Sequence, residues 1–375
     1  MIPFNKPYLS GKELEYMRRA VESGKISGNG EFTGKCEQML EERYGFKRAM
    51  LTTSCTHALE MCALLLNIKA GDEVIMPSFT YVSAANAFAL RGANLVFADS
   101  QAVNPNIDAD KLESLITGNT KAIVVTHYAG VACDMDKIME LARRHNLYVV
   151  EDAAHAIDSY YKGRPLGSIG HLATFSFHET KNIISGEGGL LVVNDARFLD
   201  RAETIREKGT NRSAFYRQQV NKYEWVDLGS SYMPSELIAA FLLAQLESSD
   251  TIQQKRKELW NLYYNRLHVL AGKGIQLPRH PGYATNNAHI FYLVCKNPDQ
   301  RNQLIRRLAE KGAHAVFHYQ SLHKSQYYLK THANAGTLPE CERYSECLVR
   351  LPLFFELGEE QVEMICGVVL AELAD

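Results

Sequence analysis

The chain has 375 residues, 46% of them hydrophobic and 22% charged, with 41 basic against 43 acidic side chains. Such a composition belongs to an ordinary globular protein and excludes disordered and fibrous architectures. A net charge of −2 supplies no broad positive field, so nucleic acid is not an expected partner.

A single core rarely grows past about 250–300 residues, so two domains are expected. The change of pattern near residue 250 suggests a large domain over 1–250 and a smaller α+β domain over 251–375. The first residues, MIPFNKPYLSGKELEYMRR, lack the apolar core of a signal peptide. No apolar run approaches the roughly 18 residues of a spanning helix, so a membrane is not expected as a partner. Eight cysteines are scattered without any C-x-x-C or paired His/Cys spacing, which argues against a disulfide framework and a bound metal. Reduced thiols suit a cytoplasmic protein.

From about residue 35 to 195, helical and strand patterns alternate. Residues 35–44 and 56–66 read as helices on either side of an apolar strand at 49–51, and 73–76 read as a buried strand ended by Pro77. Short β-branched runs at 95–98, 122–126 and 148–151 are of the kind buried in a parallel sheet. Residues 136–145 carry the helical spacing needed to cross over between the last two. Strands at 173–177 and 190–193 follow with little room for helices, so part of the sheet is expected to be antiparallel. The alternation predicts an α/β doubly wound, mostly parallel sheet.

Residues 209–232 form a polar, aromatic-laced stretch without a clean period, either a functional loop or a surface insertion. Helices are expected over 235–247 and 251–270. Elements at 290–294, 301–311, 315–317, 349–351 and 359–373 then alternate on a smaller scale.

Four segments carry chemical signals. Gly28, Gly30 and Gly34 come close to a dinucleotide fingerprint but are misspaced and follow no strand, so a flexible turn explains them better. Residues 52–59, TTSCTHAL, put small and hydroxylated residues between a strand and a helix. That is a ready anion site, or else a plain N-cap by Ser54 or Thr56. Glu151 and Asp152 follow a strand that should be buried, where open α/β sheets bind ligands; Asp152 as a helix cap is the plainer alternative. Lys181 lies between the apolar strand ending in SFHET and the glycine-rich GEGG turn. There it could lose its proton and act as a nucleophile, although most lysines are surface charges.

Together these segments match the needs of one cofactor. Pyridoxal phosphate requires an anion site, a carboxylate for its ring nitrogen and a lysine for its aldehyde. With GDEVIMPSFTYVSAANA at 71–87, EDAAHA at 151–156, SFHETKNIISGEGG at 176–189 and PSELIAAFLLAQLE at 234–247, the sequence resembles the DegT/StrS sugar aminotransferases, of the aspartate-aminotransferase fold class (fold type I). The resemblance runs from Ile2 to His323.

It implies that Lys181 carries the cofactor covalently, that Asp152 keeps the ring nitrogen protonated and that His155 approaches the cofactor's hydroxyl face. It places Tyr81 on the pyridine ring and Cys55, Thr56 and Ser176 at the phosphate. Gly229-Ser230-Ser231-Tyr232-Met233 stands where such families often read G-Y-N-Y-R, so Ser231 would replace the Asn that reaches a neighbouring subunit's phosphate. By position, Lys6, His318, Tyr319 and His323 are candidate substrate contacts. The implied donor is L-glutamate, the implied acceptor a 4-keto-6-deoxy sugar on a nucleotide, and the implied assembly a homodimer with shared sites. A sugar dehydratase of the same fold would carry histidine in place of Lys181. A cofactor-sensing regulator would need an added DNA-binding segment or a basic face, which the sequence lacks.

Overall fold

Short runs of branched and aromatic side chains, punctuated by Pro, Gly and Asn, give twelve strands among the residues described, 1–332 and 336–373 of a computed structural model. They are β1 (Ala49–Thr52), β2 (Glu73–Pro77), β3 (Asn94–Ala98), β4 (Thr120–Thr126), β5 (Tyr148–Asp152), β6 (Tyr160–Tyr161), β7 (Arg164–Pro165), β8 (Leu172–Ser176), β9 (Gly189–Val193), β10 (Phe291–Val294), β11 (Val316–Phe317) and β12 (Leu348–Leu351). Seven form one sheet in the order β1-β9-β8-β5-β4-β2-β3. Within it β9 alone runs antiparallel to its neighbours, β1 and β8. The expected antiparallel portion is therefore one strand, entered through the tight GEGG turn.

Alternation along these strands splits their side chains between two cores. Ile123, Val125 and Val149 face one, and Val124, Val150 and Leu191 face the other. The crossover helix Met135–His145 shows how local chemistry supports this layering. Asp134 caps its start through the Lys137 N–H, Arg143, Arg144 and His145 fill its last turn, and Asn146, at φ 53°, ends it. Its Ile138 and Leu141 are buried against the sheet, each contributing about 1.5–3 kcal/mol.

The three-stranded antiparallel sheet β10-β12-β11 has its own core, with Leu259, Trp260 and Tyr263 from the Ser249–Leu267 helix and Ile365 and Val369 from the Glu359–Leu373 helix. The first residues of the chain join this core. Ile2 is buried in it, donates its N–H to the Gly312 carbonyl (2.7 Å) and accepts from the His314 N–H (3.0 Å). A smaller cluster joins the two sheets, with Phe79 and Tyr128 meeting Tyr292 and Tyr344.

Several expected elements shift. The helix read as 35–44 begins at Glu31, and the one read as 251–270 runs Ser249–Leu267 and then tightens into a 3-10 turn. Helices Glu13–Glu22, Val82–Ala89, Leu199–Arg206 and Pro339–Cys347 were not marked by pattern. The 209–232 stretch holds one short helix, Arg212–Tyr216.

The glycines at 28 and 30 are not a flexible turn. A Cβ on Gly28 would lie 2.4 Å from the Pro234 carbonyl oxygen, and one on Gly30 2.6 Å from the Glu236 carboxylate. That close approach lets Glu236 accept from the N–H groups of Gly30 (3.0 Å), Phe32 (2.7 Å) and Thr33 (3.1 Å), capping the Glu31–Tyr44 helix from a distant segment.

Candidate active site

The carboxyl ends of β1, β2, β4, β5 and β8 converge on one cavity of about 510 Å³, the place where open α/β sheets bind ligands. Beyond β1, Ser54 caps the Cys55–Leu65 helix by accepting from the His57 N–H (3.1 Å), and Cys55 and Thr56 line the cavity at that helix's positive end. Thr56 Oγ1 donates to Ser83 Oγ (2.8 Å). Cap and anion site are thus compatible uses of the same turn. Gly189 makes the turn possible. A Cβ there would meet the Ser54–Cys55 backbone at 2.3–2.4 Å, so β9 can pass behind the helix start only without a side chain.

At the end of β5 the two carboxylates part. Glu151 turns away from the cavity and accepts from His127 Nε2 (3.0 Å) and from the N–H groups of Gly167 (2.9 Å), Ile169 (2.8 Å) and Gly170 (2.6 Å). Burial opposes its charge, but His127 and the N–H groups of Gly170 and Gly167 hold its carboxyl below the usual range. Asp152 lines the cavity and is 4% exposed; it accepts from the Ala154 N–H (3.1 Å). Burial pushes its carboxyl up, against the pull of that N–H and of Lys181. A carboxylate so placed lacks a full positive partner and would be satisfied by a protonated ring nitrogen.

Lys181 follows β8 and lies on the cavity wall, its N–H donating to the His178 carbonyl (2.9 Å). Desolvation brings its ammonium down to about 8, although Cys55 and Asp152 favour the charge. A lysine in that range is available as a free amine.

The remaining wall comes from the three-stranded sheet and its approaches. His289 Nδ1 bonds to Asn182 Oδ1 (2.8 Å), the residue after Lys181, and its ring lies 4.4 Å from that of His155. His155 Nε2 meets the Tyr319 hydroxyl (3.3 Å), and His318 Nδ1 meets the Tyr128 hydroxyl (3.0 Å). Burial holds His155, His289 and His318 well below their ordinary range, so all three are neutral at pH 7. Arg350 closes this wall.

Of the candidates read from sequence, Cys55, Thr56, Tyr81, Asp152, His155, Ser176, Lys181, His318 and Tyr319 line this cavity. Tyr81 stands at its rim, 59% exposed. Three candidates lie elsewhere. His323 is corrected as a substrate contact. It is buried outside the cavity, with Nδ1 on Ser78 Oγ (2.7 Å) and Nε2 on Glu342 (3.2 Å), which leaves neither ring nitrogen for a ligand. Lys6 is exposed and paired with Glu356 (3.0 Å), while its neighbours Phe4 and Asn5 reach the cavity. Ser231 is exposed, bridging to Glu207 outside this chain's cavity. His289 and Arg350 were missed. Neither sits in a motif, and only their pairing to distant strands brings them to the site.

The residues present fit pyridoxal phosphate. The hydroxyl-lined helix start suits its phosphate, Asp152 its ring nitrogen and Lys181 its aldehyde. Among the described residues, no group of three or more His, Cys, Asp or Glu could hold a metal ion, and no helix is long and apolar enough to cross a membrane.

Comparison with known proteins agrees with this geometry. GDP-perosamine synthase of Escherichia coli O157:H7 is 33% identical over 366 residues, covering 97% of this chain and 96% of that protein. The crystal structure of the aminotransferase TlmJ from Streptoalloteichus hindustanus superimposes with a TM-score of 0.91 at 31% identity, over 100% of this chain and 99% of that one. Spr1654 from Streptococcus pneumoniae, in its PMP form, gives a TM-score of 0.92 at 26% identity over 100% and 99%. The fold is thus that of the aspartate-aminotransferase class. The DegT/DnrJ/EryC1/StrS aminotransferase family matches residues 7–370, and the chain belongs to that family.

Proposed function

We propose that this aminotransferase uses pyridoxal phosphate to move an amino group from L-glutamate to C4 of a 4-keto-6-deoxy sugar carried on a nucleotide. The observation that carries the reading is the meeting of Lys181, Asp152 and the Cys55–Leu65 helix start in one cavity. When bound, the cofactor supplies an electron sink for the pair released at the donor's α-carbon. Asp152 would hold a proton at the ring nitrogen, and the first turn of the helix would bind the phosphate. Lys181 Nζ, as a free amine, would take the α-proton of the donor and later give a proton to the sugar carbon from one face. Neutral His155, braced by the Tyr319 hydroxyl, orients the ring at its hydroxyl side.

The acceptor we assign is dTDP-4-dehydro-6-deoxy-D-glucose, giving dTDP-4-amino-4,6-dideoxy-D-galactose. The support is the sequence's resemblance to the transaminase of enterobacterial common antigen synthesis. A GDP-linked acceptor is the second reading, favoured by the similarity to GDP-perosamine synthase. Release of 2-oxoglutarate from glutamate, measured against a panel of dTDP-, UDP- and GDP-linked 3-keto and 4-keto sugars, tests both. Turnover is expected only with the 4-keto compounds, led by the dTDP sugar. A preference for the GDP sugar selects the second reading, and no turnover with any sugar rejects sugar amination.

We further propose a cytoplasmic homodimer with shared sites, built from a large domain over 1–250 and a small one over 251–375. Free cysteines support the compartment. Exposed aromatics in the loop, among them Trp225 at 77% and Tyr223 at 55%, support the dimer, with Ser231 completing the partner's phosphate site. Mixing a Lys181→Ala chain with one altered at Ser231 should restore part of the activity after subunit exchange. An active monomer in sedimentation would reject this assembly.

A further inference from the structure

His289 lies just before β10, in a segment held by the buried side chains of Asn182, Gln253, Arg256 and Asn287. Gln253 and Arg256 stand one turn apart on the Ser249–Leu267 helix. The Arg256 guanidinium has no carboxylate partner among the described residues and donates instead to the carbonyls of Ala288 (3.1 Å) and His289 (2.8 Å). Ala288 sits at φ 52°, a left-handed conformation that alanine rarely adopts and that needs such support. Asn287 accepts from the His289 N–H (3.1 Å) through Oδ1 and donates through Nδ2 to the carbonyls of His155 (2.7 Å) and Ile157 (2.8 Å). The ring is fixed as firmly as the backbone. Asn182 Nδ2 donates to the Asn287 carbonyl and to Gln253 Oε1, at 2.8 Å each. A carbonyl can only accept, so the amide's Oδ1 must be the atom that faces His289 Nδ1 at 2.8 Å. Nδ1 therefore carries the ring's proton, and in the neutral imidazole Nε2 is a bare acceptor. Among the described residues nothing donates to Nε2, yet it is not sealed in: the residue is 7% exposed and lines the cavity.

Beside it, His155 Nδ1 accepts from the Ala129 N–H (3.3 Å), so its Nε2 holds the proton and the Tyr319 hydroxyl accepts it. Tyr319 keeps its own proton to give. An acceptor at His289 and a donor at Tyr319, on either side of one ring, match a hydroxyl, which gives one hydrogen bond and takes another. We propose that His289 Nε2 accepts the hydrogen bond of the acceptor sugar's C3 hydroxyl, and so reads the position beside the carbon that is aminated. The inference rests on the sugar-aminotransferase reading and deepens it by naming one group of the acceptor and the residue that selects it. The donor offers this nitrogen nothing: glutamate's carboxylates are acceptors too, and its amine is engaged at the cofactor. The acceptor's reacting carbon must come to Lys181, whose neighbour Asn182 carries the His289 ring. Of the two carbons flanking C4 in a 4-keto-6-deoxy pyranose, C5 bears a methyl group and the ring oxygen, and C3 alone bears a hydroxyl. A site built to take a hydroxyl's hydrogen bond rejects the analogue that lacks it, because its own polar group is then left unpaired.

The test compares wild type, His289→Leu and His289→Gln as holoenzymes in spectroscopic half-reactions. The substrates are glutamate, dTDP-4-amino-4,6-dideoxy-D-galactose and the 3-deoxy form of that sugar nucleotide, or the GDP-linked pair where the acceptor panel selects it. We expect wild type to prefer the 3-hydroxy sugar at least tenfold in kcat/KM. His289→Leu should lose at least tenfold on that sugar, keep glutamate within threefold and take the two sugars within twofold of each other. His289→Gln, whose Oε1 can accept in place of Nε2, should recover part of the preference. Nitrogen NMR of histidine-labelled wild type reads the ring without turnover and should show His289 protonated at Nδ1. A proton on Nε2 overturns the proposal, as does a wild type indifferent to the C3 hydroxyl, and neither result depends on the variants folding. Losses on glutamate as large as on the sugar also overturn it, making His289 a packing residue, and so does a full preference retained in His289→Leu. A wild type that deaminates glutamate but reacts with no amino sugar nucleotide rejects sugar amination itself, which is a different failure from one that takes both sugars alike.

Discussion

The wall built on the large sheet presents Thr56, Asp152 and Lys181 just past the ends of parallel strands, whereas the opposite wall draws His289, His318, Tyr319 and Arg350 from a small antiparallel sheet and its approaches. The first wall needs sharp strand-to-helix turns, and such turns demand particular residues: a capping Ser54, a side-chain-free Gly189, small alanines after Asp152. The second wall needs only that ordinary strand and loop positions face inward. Chemistry at the end of a parallel strand is written locally, while chemistry on a strand face depends on what that face packs against.

The largest expected effect lies on the first wall. Lys181→Ala should lose the visible absorbance of the lysine-bound cofactor and lower turnover by about 10²–10⁴-fold. The same lysine gives a pH dependence. Only its neutral form can capture pyridoxal phosphate, and with its ammonium near 8 roughly a tenth is neutral at pH 7. Capture by the cofactor-free chain should therefore rise with pH to a midpoint near 8; a midpoint above 10 would mean that Lys181 is solvated. Asp152→Asn comes next. An amide cannot hold the ring proton, and losing a charge-assisted hydrogen bond costs about 1.5–3 kcal/mol, so kcat should fall tenfold or more with cofactor retained. Wild-type turnover in a folded variant would leave Asp152 only its bond to the Ala154 N–H.

Gly189→Ala probes the turn instead of the chemistry. Its Cβ would collide with the Ser54–Cys55 backbone, which cannot rotate away, so a loss of about 1–3 kcal/mol and a weakened affinity for the cofactor are expected together. Unchanged cofactor affinity by titration would separate the helix start from the phosphate. The smallest effect on activity should come from His323→Ala. The change removes the ring's bonds to Ser78 and Glu342, which keep the His323 N–H and Lys324 as partners, and two lost hydrogen bonds should cost about 1–3 kcal/mol in chemical unfolding, with kcat/KM within about twofold. A large drop in kcat/KM would return His323 to the substrate site.

His323 also shows why position in a motif-rich region misleads. It lies five residues after His318, yet the chain turns between them, and one ring reaches the cavity while the other links Ser78 at the end of β2 to Glu342. Gly30 is the converse case. Its spacing carried no ligand, but its missing side chain admits Glu236 from more than 200 residues away as a helix cap.

The sequence alone determined the alternation of elements: buried runs and helical periods made an α/β sheet, and the turn residues around 54, 152 and 181 announced an anion site, an acid and a lysine. These features are set by backbone sterics and local burial, which a short window of residues contains. Only the tertiary structure decided that Glu151 is sealed by His127 and three backbone N–H groups while Asp152 faces the cavity, because adjacent strand residues point to opposite sides and either side could have been the open one. It alone brought Arg350 and His289 across from the second sheet, since no local rule fixes how one sheet's face docks on another's edge; that is settled by the packing of Phe79, Tyr128, Tyr292 and Tyr344 between them.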